Sequence, residues 1–208
     1  MAKHKTTTLI GGALLAALAG ALLIYWVVRF PPDTTPEGAY MRIAHAISRG
    51  KPDDCFAYLE EEAQHGAISI ADYASQINKR IEETYPEPER SEALARYAGM
   101  ASSERGAGTW ALLADQRGWI GRLRRDLSGV ESVEIVGERA TIVTSRGTRY
   151  PFRRRPNGIW GLTIFTVELT TESERLARDW TSIQAAAKDY QRAADQGEPP
   201  SQTDSGAP

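Results

Sequence analysis

Cysteine is almost missing from this chain: Cys55 is the only one in 208 residues. No intramolecular disulfide is possible, so packing alone must hold the fold. No cysteine lies near the N-terminus, which excludes lipoprotein processing. Cys55 precedes Phe56 in a helical pattern and reads as a small buried hydrophobe, not a nucleophile. Histidine is scarce too, and only His45 and His65 follow position 30. A metal site needs several convergent ligands. Glu62 and His65 have the Glu-x-x-His spacing of di-iron bundles, but those need a second such unit and further carboxylates. There is no Gly-x-Ser-x-Gly elbow, no phosphate loop and no Cys/His/Asn set. No catalytic residue, metal site or cofactor is therefore expected. A basic excess is also lacking. All 27 acidic residues follow position 30, against 22 of the 25 basic ones, a net of −5. That balance gives no case for nucleic-acid binding. Lysine is rare beside arginine, 5 against 20, which resembles the coding bias of a GC-rich bacterium.

One stretch lacks charge altogether. Residues 9–28, LIGGALLAALAGALLIYWVV, form an apolar run of 20 residues. At ~1.5 Å per residue this spans ~30 Å, the thickness of a bilayer's hydrocarbon core. Tyr25 and Trp26 suit the interface at its far end, and Arg29 with Pro31-Pro32 stops the helix. The expectation is a transmembrane anchor over 9–30. A cleaved signal peptide is the rival, with Ala17-Leu18-Ala19 as its cleavage site, but its apolar core would be only about 7–15 residues. Lys3 and Lys5 bias residues 1–8 to the cytoplasm and the rest of the chain outside, as a single-pass membrane protein. Gly12, Ala16 and Gly20 repeat at spacing four. The pattern serves helix pairing, or reflects the ordinary abundance of small residues in such segments.

Residues 31–36 form a stiff Pro-rich linker reaching ~20 Å at ~3.1 Å per residue. The remainder to 195 reads as one α+β domain: helices within 37–127, a sheet within 130–167 and a C-terminal helix over 171–195. The first helix starts near Pro36, with Tyr40, Ile43, Ala44 and Ile47 inward and Arg49-Gly50-Lys51-Pro52 ending it. Further helices are expected over 52–64, 69–85, 89–102 and 109–127, the last interrupted or bent near Gly118 and Gly121. Inward residues are Phe56 and Leu59, then Ile70, Tyr73, Ile77 and Ile81, then Leu94, Tyr97 and Ala98, and finally Trp110, Leu113, Ile120, Leu123 and Leu127. After Gly129 the period becomes two. Strands are expected at 130–136, 139–145, 148–155 and 159–167, joined by Gly137-Glu138, Arg146-Gly147 and Pro156-Asn157-Gly158, a hairpin-linked antiparallel meander. Val133, Ile135, Ile142, Tyr150, Phe152, Trp160, Leu162 and Ile164 are expected to share its core face. Thr171-Glu172-Ser173-Glu174 reads as a capping box. Beyond it Leu176, Trp180, Ile183, Ala187, Tyr190 and Ala194 form a narrow stripe, which either docks on its own domain or pairs with a second copy. Residues 196–208 read as a disordered polar tail.

Two stretches carry a family resemblance. One runs from Pro36-Glu37-Gly38-Ala39-Tyr40 to Phe56-Ala57-Tyr58-Leu59. The other runs from Val136-Gly137-Glu138-Arg139-Ala140-Thr141-Ile142-Val143 to Gly158-Ile159-Trp160-Gly161-Leu162. Together the chain resembles the nuclear transport factor 2-like superfamily of cystatin-like α+β folds, and within it membrane-tethered bacterial members of unknown function. The resemblance implies a curved sheet around the first helices and a cone-shaped pocket. Members include isomerases, hydrolases and binding modules, so it fixes no chemistry. The long helical stretch 69–127 and the added C-terminal helix depart from the family pattern, and both are placed to fill or cover the pocket.

Few residues invite a functional reading. His45, one position off the Tyr40–Ile47 stripe, points into such a pocket with Tyr40 or is simply a boundary residue. His65, before Gly66, is expected at a helix C-terminus. Arg149, Arg153 and Arg155 fall on one side of a strand, shortly after Arg122, Arg124 and Arg125. They form an anion-binding group for a headgroup, a glycan acid or an acidic partner, or a solvated face paired with carboxylates such as Glu131. The expected role is a non-catalytic binding or interaction module held at the cell envelope, with a protein or envelope component as partner. A cone-pocket enzyme or ligand carrier, and a self-associating structural protein, are the alternatives.

Overall fold

The computed structural model describes residues 31–196. The expected cytoplasmic segment 1–8, the anchor through residue 30 and the tail beyond residue 196 lie outside the described residues. Among the described residues no helix is long and apolar enough to cross a membrane.

The fold is α+β: helices first, then a four-stranded antiparallel sheet, then a C-terminal helix. Helix α1, Pro36–Ser48, opens with the Thr35 hydroxyl accepting a hydrogen bond from Gly38 N at 3.1 Å, and Pro36 needs no N–H partner there. Tyr40, Ile43 and Ile47 are buried as expected, joined by Ala39 and Ala46. A 3-10 helix, Pro52–Tyr58, follows. It stands where the sequence reading put an α-helix over 52–64.

Next comes one continuous helix, α2, Glu61–Thr84, in place of two pieces separated at Gly66. The glycine is not a terminus. A Cβ there would lie 3.0–3.2 Å from the backbone and Cβ of Leu169, so Gly66 marks a close helix crossing. A mid-helix glycine costs about 1 kcal/mol against alanine; the close approach it permits offsets that. His65 accordingly sits in the second turn of α2, exposed, not at a C-terminus.

Helix α3 is Glu89–Ala101, with Tyr97 buried and Ala98 turned to solvent instead of inward. Of an interruption or a bend near Gly118, the structure has the interruption. Helix α4, Ala107–Gln116, ends there and α5, Trp119–Asp126, begins after Gly118 at φ 69°. Trp110, Trp119 and Phe165 then meet in a triangle, with ring centroids 4.8–5.7 Å apart.

The sheet is the meander β1-β2-β3-β4, made of Val130–Val136, Arg139–Thr144, Arg149–Arg154 and Trp160–Leu162. The third connection keeps its expected position at Pro156-Asn157-Gly158, but the fourth strand is only three residues. Phe165 turns into the aromatic triangle, and a helix starts at Thr166, where the reading of 159–167 required extended chain. The short β4 also accommodates Pro151 in the interior strand β3. Its missing N–H falls on the β4 side, beyond Leu162, and its carbonyl accepts from Thr163 N at 3.1 Å. Ile142, Tyr150, Phe152, Trp160 and Leu162 face the core. Ile135 does not: it is 56% exposed on the edge strand β1, and Val136 beside it is 80% exposed.

Helix α6, Thr166–Gln196, starts five residues before the supposed capping box. Glu172 is thus interior to the helix, where it ion-pairs with Arg117 at 2.6 Å and Arg175 at 2.5 Å. The stripe of Leu176, Trp180, Ile183, Ala187 and Tyr190 joins the domain's own core. The two long helices run parallel: Gly66 meets Leu169, and further along Tyr85 meets Tyr190 with ring centroids at 4.8 Å.

Candidate functional site: the charged outer face of the sheet

The alternation that buries Tyr150 and Phe152 sends Arg149, Pro151 and Arg153 to the outer face of β3. Register then aligns a row across the sheet: Arg139 on β2 opposes Arg153 on β3, which opposes Gly161 on β4. Over Gly161 lies the chain entering α2. A Cβ at Gly161 would come within 2.7 Å of Glu60 Cα and of the Leu59 carbonyl oxygen. Leu59 bridges Leu162, and Glu60 N donates to the Leu162 carbonyl at 3.0 Å. The lack of a side chain at Gly161 is therefore what brings Glu60 onto the sheet.

Glu60 is only 4% exposed. Its Oε2 accepts from the Thr166 hydroxyl at 2.6 Å, and Oε1 lies 2.7 Å from the Arg153 guanidinium, within ion-pair reach but out of line for a hydrogen bond. The carboxylate also lies at the first residue of α6, where a helix favours negative charge. One side chain thus ties α2, β3 and α6 together. Arg153 reaches Glu62 as well, at 3.8 Å.

Two clefts meet at the Glu60–Arg153 pair. One, of about 340 Å³, is lined by Arg139, Thr141, Pro151 and Thr163. The other, of about 210 Å³, is lined by Glu61, Glu62, His65, Arg154 and Arg155. Arg155 donates to the Ala57 carbonyl at 2.8 Å while its Nε is buried without a partner. Burial holds the Arg155 guanidinium below its ordinary pKa, opposed by the charges of Glu61 and Asp33.

Of the three arginines read as an anion-binding group, Arg153 and Arg155 share a cleft. Arg149 does not join them; it pairs with Glu134 on β1 at 2.6 Å. Arg139 lines the neighbouring cleft and, among the described residues, has no carboxylate partner. The sequence reading passed over it. Counting pairs back from the Arg146-Gly147 turn would have placed it opposite Arg153. Arg122, Arg124 and Arg125 are exposed on α5, apart from this face, and Arg146 caps the Arg125 carbonyl.

The pocket pair is not brought together. Tyr40 is buried: its ring lies 5.5 Å from Tyr150, and its hydroxyl donates to the Ser128 carbonyl at 2.7 Å and accepts from Ser128 N at 3.1 Å. Burial holds the Tyr40 phenol above its usual pKa. His45 is exposed and lines a separate cleft of about 530 Å³ with Arg42, Asp53, Asp54, Phe56 and Tyr58. Among the described residues no group of three or more His, Cys, Asp or Glu is placed to hold a metal ion. No family model, curated protein or solved structure matches this chain.

Proposed function

We propose that this chain is a membrane-tethered, non-catalytic binding module of the bacterial envelope, and that the outer sheet face around Glu60, Arg153 and Arg139 is its recognition surface. The carrying observation is that face: two adjoining clefts with an ion pair fixed between them and, among the described residues, two arginines, Arg139 and Arg155, without a carboxylate ion pair. The apolar run 9–28 supports the tether. The aromatic triangle of Trp110, Trp119 and Phe165 supports an interior given to packing instead of chemistry. His45 and His65 stand on separate helices, α1 and α2, both exposed. The nuclear transport factor 2-like resemblance is part of the same proposal and rests on the two sequence stretches that carry it.

The full chain should sediment with membranes, resist alkaline carbonate extraction and co-purify from detergent with a stoichiometric partner. A clean solitary monomer, or release into the soluble fraction with the first residues removed, would overturn this reading.

The 530 Å³ cleft beside His45 favours a second reading, a small-ligand carrier. His45→Ala would then abolish the rise in melting temperature that the ligand produces in the parent.

A further inference from the structure

We infer that the outer groove binds a carboxylate-bearing segment of polypeptide, with Arg139 and Arg153 as its guanidinium forks. The inference rests on the recognition surface named above and specifies its ligand chemistry. Arg139 and Arg153 are directly opposed across β2 and β3, a like-charge pair that disfavours itself unless counter-charge intervenes. Arg153 has Glu60 and Glu62; Arg139 has no carboxylate among the described residues. Across the two clefts four guanidinium groups, Arg139, Arg153, Arg154 and Arg155, stand against three carboxylates, Glu60, Glu61 and Glu62, which leaves one net positive charge.

One incoming carboxylate neutralises that charge, and the planar fork of a guanidinium matches it in two-point geometry. A phosphate dianion would leave an uncompensated negative charge beside buried Glu60, so the groove discriminates against it. The Thr141 hydroxyl offers a further polar contact, and Pro151 an apolar floor. The second cleft continues past the shared Glu60–Arg153 pair to Arg155, whose Nε is buried without a partner. The concavity is therefore elongated, as an extended peptide bearing a carboxylate requires and a single small anion does not.

The test uses the full chain in detergent micelles and a fluorescein-labelled hexapeptide carrying one glutamate among alanines, read by anisotropy. Saturable binding is expected, weakened at least tenfold by Arg139→Gln and not displaced by a tenfold excess of inorganic phosphate over the peptide. Arg139→Gln leaves the Glu60 junction intact, so its melting temperature should match the parent's, which separates lost binding from lost fold. Equal peptide affinity in parent and variant, or displacement by phosphate, overturns the inference. If the peptide fails to bind while a co-purified partner is still lost on Arg139→Glu, the carboxylate chemistry falls and the binding-module reading stands. If both fail, both fall.

Discussion

At Gly161 a single missing methyl decides how three elements meet. A Cβ would stand 2.7 Å from both Glu60 Cα and the Leu59 oxygen, and both are backbone atoms that cannot swing aside. Gly161→Ala should destabilise the domain by about 1–3 kcal/mol, the usual cost of overpacking. Thermal unfolding would show a melting temperature several degrees lower; an unchanged one would contradict the close approach. Cys55 sets a second test. It is 1% exposed, and burial, aided by Asp54 and Asp53, pushes its thiol up from 9.0 to about 12. A maleimide should label the native protein far more slowly at pH 8 than the denatured chain, since the thiolate is the reactive form. Tyr150 behaves alike: burial, with Tyr40 and Asp126 adding to it, pushes its phenol up from 10.0 to about 12. A pKa raised by folding gives stability that is whole below the unfolded value and disappears as pH climbs through the folded one. Alkaline unfolding should therefore develop between about pH 9 and 12, and a melting temperature flat across that window would count against this burial.

Among the elements, the helices and hairpins were legible where a local signal agreed with the tertiary contact. Thr35 and Pro36 start α1, and Gly118 breaks the chain before α5, as their chemistry dictates. Misreadings arose where a distant partner overruled a local cue. Gly66 looked like a helix end because the Leu169 backbone it admits lies 103 positions away. Thr171 and Glu172 spell a capping box, yet Phe165 is drawn into the aromatic triangle and α6 starts early. The candidate site suffered the same blindness. Alternation put Arg149 and Arg153 on one face, but only pairing across the sheet reveals Arg139 opposite Arg153, and nothing local marks Glu60 as buried. Glu172 turns this packing into a measurable effect. Burial alone would push its carboxyl up, but hydrogen bonds and charges from Arg175 and Arg117 outweigh that and hold it below the usual value. A pKa lowered by folding gives stability present above the unfolded value, about 4.3, and lost as pH falls through the folded one. Glu172→Gln should lower the melting temperature at pH 7, and by less at pH 3, because the gap narrows as pH falls below the unfolded value. A constant gap at both pH values would contradict the ion pairs.

For the molecule as a whole, the long helices α2 and α6 pack side by side and consume the stripe that could have joined two copies. The sheet lies with its inner face on α1 and its outer face open, and the charged groove is on that open face. Placing α6 inside its own domain removes one proposed seam for self-association, so a fragment of residues 31–208 should elute as a monomer at high concentration. The central claim is that the outer groove is where a partner sits. The most direct measurement is site-specific photo-crosslinking in intact membranes, with the probe at Thr141 in the groove and, as a control, at exposed Lys188 on α6. The account predicts one discrete crosslinked species from position 141, absent from position 188 and abolished by Arg139→Glu. Equal crosslinking from both positions, or a species at 141 indifferent to Arg139→Glu, would contradict it.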